Sequence, residues 1–352
     1  MRILHVTDCF PPRLGGIETQ VETLIQQQTN RGHEIQVLTL TSGFEMPGVK
    51  RLSAHIERGA LIRFGSRRGV KNAVLEFAPD LIHAHVGSGA WLGWAAVNVA
   101  QRENIPVVLT VHSIWGGLAR LLYQNRLTKN THLQVVAVSR QALRSLRLHE
   151  SAHIIANGLD IDYPMAQIPK RKEITFITAS RLVQRKRLLK LVEIFARIQS
   201  KYPSANIHLK IAGEGPMRSR IERKIQKLGV TNVELLGRLS RTDLHKEYAQ
   251  SHAYIQLSKL EAFGLAAAEA QVHQLGVIGL KESGIADFVE HQIDGFLGSG
   301  DDEIEQFLEK VIHDPAILFN FSNNVDMRNK PYRWDLVLER YEDLYKQCVG
   351  EV

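Results

Sequence analysis

Short runs of branched apolar residues alternate with longer helical patterns along this chain, and the alternation occurs twice. In the first half, the strand-like runs cover residues 3–6, 34–40, 81–84, 107–111, 135–138 and 153–155. In the second half, they cover residues 174–180, 207–213, 233–237, 253–257 and 277–280. Strands that alternate with helices predict βαβ units and a parallel sheet. The order therefore predicts an α/β protein with two doubly wound domains in sequence.

The length supports this division, because 352 residues exceed one ordinary core and suit two domains of roughly 150 to 180 residues each. Residues 160–172 contain two prolines and end in a charged run, a composition typical of an interdomain linker. We therefore expect a first domain at residues 1–165 and a second at residues 170–331. An apolar stripe predicts a final helix within residues 332–352, which in this architecture crosses back to the first domain.

The composition excludes several classes of protein. Hydrophobic residues make up 44% of the chain and charged residues 23%, as in an ordered globular protein. Cys9 and Cys348 lie near opposite ends, so neither a disulfide framework nor a zinc site is indicated. The N-terminus reads as a first strand, and no run approaches the roughly 20 apolar residues of a membrane span. We expect a cytoplasmic protein, and its net charge of +7 favours an anionic partner.

The segment from Glu261 to Glu269 carries two carboxylates around a predicted strand-to-helix turn. The first lies in the loop and the second about one turn into the helix. Gly264 lets the backbone approach a phosphate, and the helix N-terminus offers free N–H groups and a positive dipole end. A carboxylate in the helix suits a ribose diol. Taken alone, the pattern also fits two solvated glutamates around an ordinary helix start.

Three other segments follow predicted strands and offer groups to the same kind of ligand. Gly15 and Gly16 open a helix whose N–H groups can hold a diphosphate, although they also fit a plain tight turn. Arg181 and Lys186 can bring two cations to one pyrophosphate, or form an exposed basic loop. His112 ends a strand at the edge where such sheets bind ligands, or is a core or surface histidine.

These segments occur with further motifs in the order found in glycosyltransferase family 4. Glu261 to Glu269 resembles the EX7E motif of that family, and GGIE at residues 15–18 resembles its GGxE turn. The other similar segments are PDLIHAH at 79–85, TVH at 110–112, VS at 138–139, NGLD at 157–160, SRL with the following lysine at 180–186, and GEGP at 213–216. The resemblance covers nearly the whole chain.

The resemblance implies a GT-B fold, in which two Rossmann-like domains face a cleft, the first binding the acceptor and the second the nucleotide sugar. It implies retaining transfer of a hexosyl group from GDP-mannose or a UDP-sugar to a lipid or glycan acceptor, as in cell envelope glycan biosynthesis. The catalytic positions that it implies are His112, Arg181, Lys186 and Glu261. The donor-binding positions that it implies are Gly15, Gly16, Gly213, Gly215, Phe263, Gly264, Leu265 and Glu269.

Neither a metal ion nor a cofactor is expected, because Arg181 and Lys186 would neutralise the charge that grows on the departing diphosphate. Asp160 and Asp162 form a DxD tripeptide, which binds Mn²⁺ or Mg²⁺ in other glycosyltransferases. Asp160 belongs here to the NGLD segment, which argues against a metal site.

Five positions depart from the family pattern, and one of them, the change from glycine to Ser283, would crowd the loop that faces the donor and so puts the identity of the donor in doubt. They are Arg187 and Gln274 in place of glycines, Gly276 in place of proline, Ser283 in place of glycine, and Asp287 in place of glutamate.

Other functions stay open beside this one. A nucleotide-sugar 2-epimerase shares the two-domain plan but needs acid and base groups and no acceptor pocket. The EX7E motif with its arginine and lysine argues against it. A non-enzymatic binding protein is supported only by the departures, and a nucleic-acid partner is not expected, because no recognised module accompanies the positive charge.

The positive charge is concentrated in the predicted first domain. Residues 50–150 carry 14 Lys or Arg and 5 Asp or Glu, hence a net charge of +9. Residues 114–129 mix apolar side chains, including Trp115, with cations, as in segments that lie in a membrane interface. We expect reversible, peripheral docking on the anionic inner face of the cell membrane. A solvated basic face, or a site for a soluble acceptor such as inositol phosphate, is the alternative.

Overall fold

The computed structural model of the protein describes residues 1–13, 15–52, 60–87, 89–128, 133–148, 152–161 and 173–350. Side chains are described for these residues except 60–65, 118, 123–126 and 128. Asp162 and most of the predicted linker lie outside the described residues. The chain divides into two compact units, one of Met1–Gly158 with Pro331–Val352 and one of Leu159–Lys330.

The first unit is built on a parallel sheet with helices on both faces. Its strands are β1 (Arg2–Thr7), β2 (Glu34–Thr39), β3 (Val49–Arg51), β4 (Leu81–Val86), β5 (Val107–Val111), β6 (Leu133–Ala137) and β7 (Ala152–Ile154). Its helices are α1 (Gly16–Asn30), α2 (Ala60–Phe77), α3 (Trp91–Glu103), α4 (Gly117–Thr128), α5 (Arg140–Leu146) and α12 (Trp334–Val349). The seven strands lie in the order β3-β2-β1-β4-β5-β6-β7.

The second unit repeats the plan with six parallel strands. They are β8 (Ile174–Ala179), β9 (Ile207–Ala212), β10 (Val233–Gly237), β11 (Ala253–Ile255), β12 (Gly276–Leu280) and β13 (Gly295–Gly298), in the order β10-β9-β8-β11-β12-β13. The helices are α6 (Leu188–Lys201), α7 (Arg218–Leu228), α8 (Arg241–Gln250), α9 (Leu265–Val272), α10 (Asp301–His313) and α11 (Ala316–Asn324). In both sheets the order reverses beside the first strand, which is where ligands bind in doubly wound folds.

Helices cover both faces of the sheet in the first unit, which explains why its central strands are apolar throughout. On one face, Leu4 and Ile82 belong to a core that includes residues of α2 and α3. On the other face, Ile3 and Leu81 pack with α1 and with Tyr341 of α12. The C-terminal helix therefore returns to the first unit, as the two-domain architecture predicted.

The prediction of an α/β fold with two doubly wound parallel sheets is confirmed. Strands β3 and β13 were not predicted, because three or four residues are too few to show a period, and Gly295 and Gly298 weaken the strand pattern of β13. Helix α1 begins at Gly16 and is followed by Gly32 with φ of +87°, the left-handed conformation that ends many helices.

Within the described residues, no helix is both long enough and apolar enough to cross a membrane.

Candidate active site

The two carboxylates of the EX7E segment lie on either side of a sharp turn in the second unit. Gly264 has φ of +100° and precedes the first residue of helix α9, and its carbonyl accepts hydrogen bonds from the first turn. An added Cβ would lie 2.6 Å from Cγ2 of Ile285, so both conformation and space require glycine. Glu261 therefore stands in the loop before α9, and Glu269 stands within the helix.

The structure brings Lys186 to Glu261. Lys186 ends a 3-10 turn after β8, and its ammonium donates a hydrogen bond to the Glu261 carboxylate. The side chains are only 17% and 14% exposed, so the pair is screened less than a surface ion pair. The loops are also tied together by Ser258, whose hydroxyl donates to the carbonyl of Arg185 at 3.3 Å. The cation and the carboxylate are thus held at the carboxyl end of the sheet.

Gly213 and Gly215 follow the neighbouring strand β9 and lie against the loop after β8. Their φ values are +131° and +158°, and a Cβ would lie 2.0 Å from the Ser180 carbonyl oxygen and 2.5 Å from that of Leu182, respectively. The glycines therefore allow the loop after β9 to lie directly against the loop that carries Arg181. The Arg181 side chain is exposed, and within the described residues it forms no ion pair.

Glu269 lies in an environment that disfavours its charge. Burial raises its pKa from 4.5 to about 7, and the opposing attraction of Arg241 is smaller. Tyr248 lies nearby on α8 with a fully buried side chain, and its hydroxyl has no hydrogen-bond partner among the described residues. A ligand hydroxyl that donates a hydrogen bond to the Glu269 carboxylate would offset this cost, since a carboxylate without donors is costly to bury.

Phe263 and Leu265 flank the turn before α9. The Phe263 ring is 2% exposed and packs on Phe288, with ring centroids 5.2 Å apart. Leu265 is the first residue of α9 and is partly buried. Phe263 can therefore reach a ligand only through its backbone.

In the first unit, the turn at Gly15 leaves room for the side chain of Glu18. Gly15 precedes helix α1, and a Cβ there would lie 2.3 Å from a carboxylate oxygen of Glu18. Glu18 is paired with Arg13 at 2.9 Å. Gly16 is the first residue of the helix. The turn leaves helix N–H groups available at this end of the sheet.

His112 follows strand β5 and is held from two sides. Its backbone N–H donates to the Val86 carbonyl at 2.9 Å, and its Nε2 lies 3.1 Å from Nδ1 of His85. Burial lowers the pKa of His112 to about 4, a shift that an interaction with the Asn157 side chain partly offsets. The imidazole is therefore neutral at pH 7. It lines a small cavity together with Gln20, His85, Asn157, Trp334 and Tyr341.

Reasoning from sequence missed the residues behind His112. His5, His83 and His85 are buried side by side, with His5 and His83 in register across β1 and β4. Residues two apart on a strand share a face, so the spacing of His83 and His85 in PDLIHAH is a signal that could have placed them side by side. Only the register adds His5 to them.

The structure explains several departures from the family pattern. Arg187 and Gln274 both have φ of +55°, which accounts for glycine at these positions in the family. Arg187 has acquired a bidentate ion pair with Asp301, at 2.9 and 2.6 Å. At Gly276 a Cβ would lie 2.6 Å from Cβ of Phe321.

Ser283 directly precedes a 3-10 turn beside the Glu261 loop, and Asp287 is the last residue of that turn. Ser283 is 2% exposed, and its hydroxyl has no hydrogen-bond partner among the described residues. The next residue, Gly284, donates its backbone N–H to the Glu261 carbonyl at 2.9 Å. The serine therefore adds a polar group next to the proposed donor site.

Two family models match adjacent parts of the chain. The model for glycosyl transferases group 1 matches residues 163–329, and that for glycosyltransferase family 4 matches residues 14–163. A phosphatidylinositol N-acetylglucosaminyltransferase chain of Homo sapiens is 26% identical, over 99% of this chain and 76% of that protein. Alpha-monoglucosyldiacylglycerol synthase of Acholeplasma laidlawii is 25% identical, over 100% of this chain and 98% of that protein.

Solved structures share the fold. The crystal structure of Anabaena HepE in complex with UDP and glucose has a TM-score of 0.79 at 17% identity, and the match covers 99% of this chain and 100% of that one. The family models and the similar proteins agree with the motifs and the two parallel sheets. The chain belongs to glycosyltransferase family 4, and it is a glycosyltransferase with the GT-B fold.

Proposed function

We propose that this protein transfers a hexosyl group from a nucleotide-diphosphate sugar to a lipid acceptor, with retained anomeric configuration and without a metal ion. The observation that carries the proposal is the pairing of Lys186 with Glu261 directly before helix α9. It supplies a cation for the diphosphate and a carboxylate for sugar hydroxyls in one place. The free N–H groups at the start of α9 add a second site for negative charge.

Each proposed donor contact has a physical reason. Lys186 and Arg181 neutralise the diphosphate as the sugar leaves, and Glu269 accepts hydrogen bonds from the ribose hydroxyls. Gly213, Gly215 and Gly264 let the loops around this site pack closely, because a Cβ at each position would lie 2.0 to 2.6 Å from an atom of a neighbouring segment. HepE was crystallised with UDP, which makes UDP-sugars the first donors to test and GDP-mannose the second.

In the proposed reaction, the bond between the anomeric carbon and the phosphate oxygen breaks as a bond to the acceptor oxygen forms on the same face. The acceptor proton passes to the departing phosphate oxygen. Glu261 is engaged by Lys186, which argues against its attack as a nucleophile. His112, neutral because of its lowered pKa, contacts the transferred sugar.

A lipid acceptor is supported by two kinds of observation. The similar human protein is named for phosphatidylinositol, and the similar Acholeplasma protein is named as a synthase of monoglucosyldiacylglycerol. In the first unit, Leu121 and Leu122 of helix α4 are 78% and 56% exposed, and Arg144 and Arg147 at the end of helix α5 are exposed as well. Trp115 does not contribute, because it is 2% exposed and belongs to the core, contrary to the sequence interpretation.

The experiment is a transfer assay in excess EDTA. Radiolabelled UDP-glucose, UDP-N-acetylglucosamine and GDP-mannose are each incubated with the protein and liposomes that contain phosphatidylinositol or diacylglycerol. We expect label in the lipid fraction with one donor. Activity that requires Mn²⁺ contradicts the metal-free mechanism, and transfer to inositol phosphate alone contradicts the lipid acceptor. An epimerised donor without acceptor identifies a 2-epimerase instead.

A further inference from the structure

Three imidazoles form a hydrogen-bonded row that ends at His112. Nδ1 of His5 lies 2.9 Å from Nε2 of His85, and Nδ1 of His85 lies 3.1 Å from Nε2 of His112. The first two side chains are at most 2% exposed, and they belong to the adjacent strands β1 and β4. At the inner end of the row, Nε2 of His5 lies 2.8 Å from Oε1 of Gln28 on helix α1.

The amide of Gln28 determines which nitrogen of each ring in this row donates a hydrogen bond. Its Nε2 donates to the hydroxyl of Tyr345 at 2.9 Å, so its carbonyl oxygen faces His5. The Tyr345 hydroxyl in turn lies 2.6 Å from Nδ1 of His83, to which it can donate its own proton. A carbonyl oxygen only accepts, so His5 must carry its proton on Nε2 and present a lone pair at Nδ1.

A neutral imidazole has one N–H, so each ring in the row donates from Nε2 and accepts at Nδ1. His85 donates from Nε2 to His5 and accepts at Nδ1 from Nε2–H of His112. Burial favours the neutral form of each ring, since it lowers the pKa of His5 to about 3 and holds the pKa of His85 well below its usual value. The proton on Nε2 of His112 leaves its Nδ1 as an acceptor.

We propose that Gln28, His5 and His85 are positioning residues that fix the tautomer of His112, so that its Nδ1 accepts a hydrogen bond from a hydroxyl of the transferred sugar. This inference rests on the proposed function of His112. Nδ1 of His112 is buried and has no well-aligned hydrogen-bond partner among the described residues, and the ring lines a cavity. The Asn157 side chain lines the same cavity and raises the pKa of the ring, so an Asn157 carbonyl that accepts from a protonated Nδ1 is the competing arrangement. A fixed lone pair selects a hydroxyl at this position and rejects another acceptor.

The same histidines could instead suggest a metal site, because one nitrogen from each of His5, His83 and His85 lies within 4.8 Å of the others. All six of their ring nitrogens already have hydrogen-bond partners, including Thr110 at 2.7 Å from His83. A metal ion would have to displace these partners. The hydrogen-bonded row is therefore the interpretation that the geometry favours.

The test is a long-range ¹H–¹⁵N spectrum of protein labelled with ¹⁵N-histidine, which distinguishes protonated from unprotonated ring nitrogens. We expect His112 to show a protonated Nε2 and an unprotonated Nδ1, with signals assigned by their loss in His112→Asn. A protonated Nδ1 overturns the proposal. Shifts of the His5 and His85 signals on addition of Zn²⁺ alone also overturn it, in favour of a metal site. The spectrum needs no substrate, so it remains decisive if the proposed transfer is not observed.

A pair of variants tests the role of the amide. Gln28→Leu removes the acceptor for His5, and we expect mixed tautomers at His112 and a loss of about tenfold in kcat, the value of one hydrogen bond. The control is Gln134→Leu, because Gln134 lies 3.2 Å from His153 in the same unit but does not join the row. Equal losses in the two variants, or an unchanged His112 spectrum in folded Gln28→Leu, contradict the proposal.

Discussion

At the scale of single residues, the Lys186–Glu261 pair links the two loops that the donor must contact. We expect Lys186→Ala to lower kcat/KM by about 100-fold or more, because the loss of one preorganised charge partner in a transition state has that magnitude. The variant should stay folded but melt at a lower temperature, because Glu261, whose side chain is 14% exposed, loses its cation partner, and the kinetics are therefore measured well below that temperature.

Lys190 provides the matched control. It lies in the first turn of helix α6, close to Lys186 in sequence, and pairs weakly with Glu193 and Asp301, at 3.9 and 4.0 Å. Steady-state kinetics of Lys190→Ala should resemble the wild type. If the two alanine variants lose activity to the same degree, the specific role of Lys186 is wrong.

Glu269 should make the protein less stable as pH rises. Its pKa in the folded protein, about 7, lies above the ordinary value of 4.5, so the folded state binds more protons between these values and stability falls as pH rises through that window. Glu269→Gln removes the cost of the buried carboxylate. We expect it to be more stable than the wild type at pH 8, on the order of 2 kcal/mol, and equally stable below pH 4.5.

Thermal unfolding at pH 4 and pH 8 checks this prediction, and binding of nucleotide diphosphates to the same variant should be weaker. Glu269→Gln that is less stable at pH 8 would show that the carboxylate has a stabilising partner instead.

At the scale of helices and strands, Gln274 and Arg187 both have the left-handed conformation at the end of a helix, but only the Arg187 side chain forms an ion pair there. Gln274 follows α9, and the backbone N–H of Leu275 donates to the Ala270 carbonyl, so Gln274 occupies the position where helices favour glycine. We expect Gln274→Gly to be neutral or stabilising by up to about 1 kcal/mol, because relief of the strained φ exceeds the added chain entropy.

Arg187→Gly is the informative contrast. It relieves the same φ but removes the bidentate pair with Asp301, whose loss leaves a largely buried carboxylate. We expect destabilisation of about 1 to 3 kcal/mol. Chemical denaturation of both variants measures the difference, and equal effects would mean that the Asp301 contact contributes nothing.

Much of this element structure could be predicted, and the failures have physical causes. Helix α12 was predicted at the residues where it lies, since its apolar stripe is long and periodic. The turn at Gly264 followed from the strand before it and the helix formers after it. The histidine row could not be predicted, because His5 meets His85 only through strand order and register, which no local pattern contains.

At the scale of the whole molecule, the excess positive charge belongs to residues 50–150. Each cation near an anionic lipid surface contributes on the order of 1 kcal/mol, and salt weakens the attraction. We expect the protein to float with phosphatidylglycerol liposomes at low salt, to float less at high salt, and not to float with phosphatidylcholine alone.

Exposed leucines identify the surface involved. Replacement of Leu121 and Leu122 by serine should reduce flotation, whereas Phe319→Ser should not, although Phe319 is also 67% exposed, on helix α11 of the other unit. Liposome binding that is absent at low salt favours a soluble phosphorylated acceptor.

The most direct test of the proposed reaction is the anomeric configuration of the product. A donor with an α-linked sugar is incubated with the wild-type protein and acceptor in excess EDTA, and the purified product is analysed by NMR for the coupling of its anomeric proton. We predict an α-linked product, formed by the wild type and lost in Lys186→Ala. A β-linked product would contradict the proposed same-face transfer.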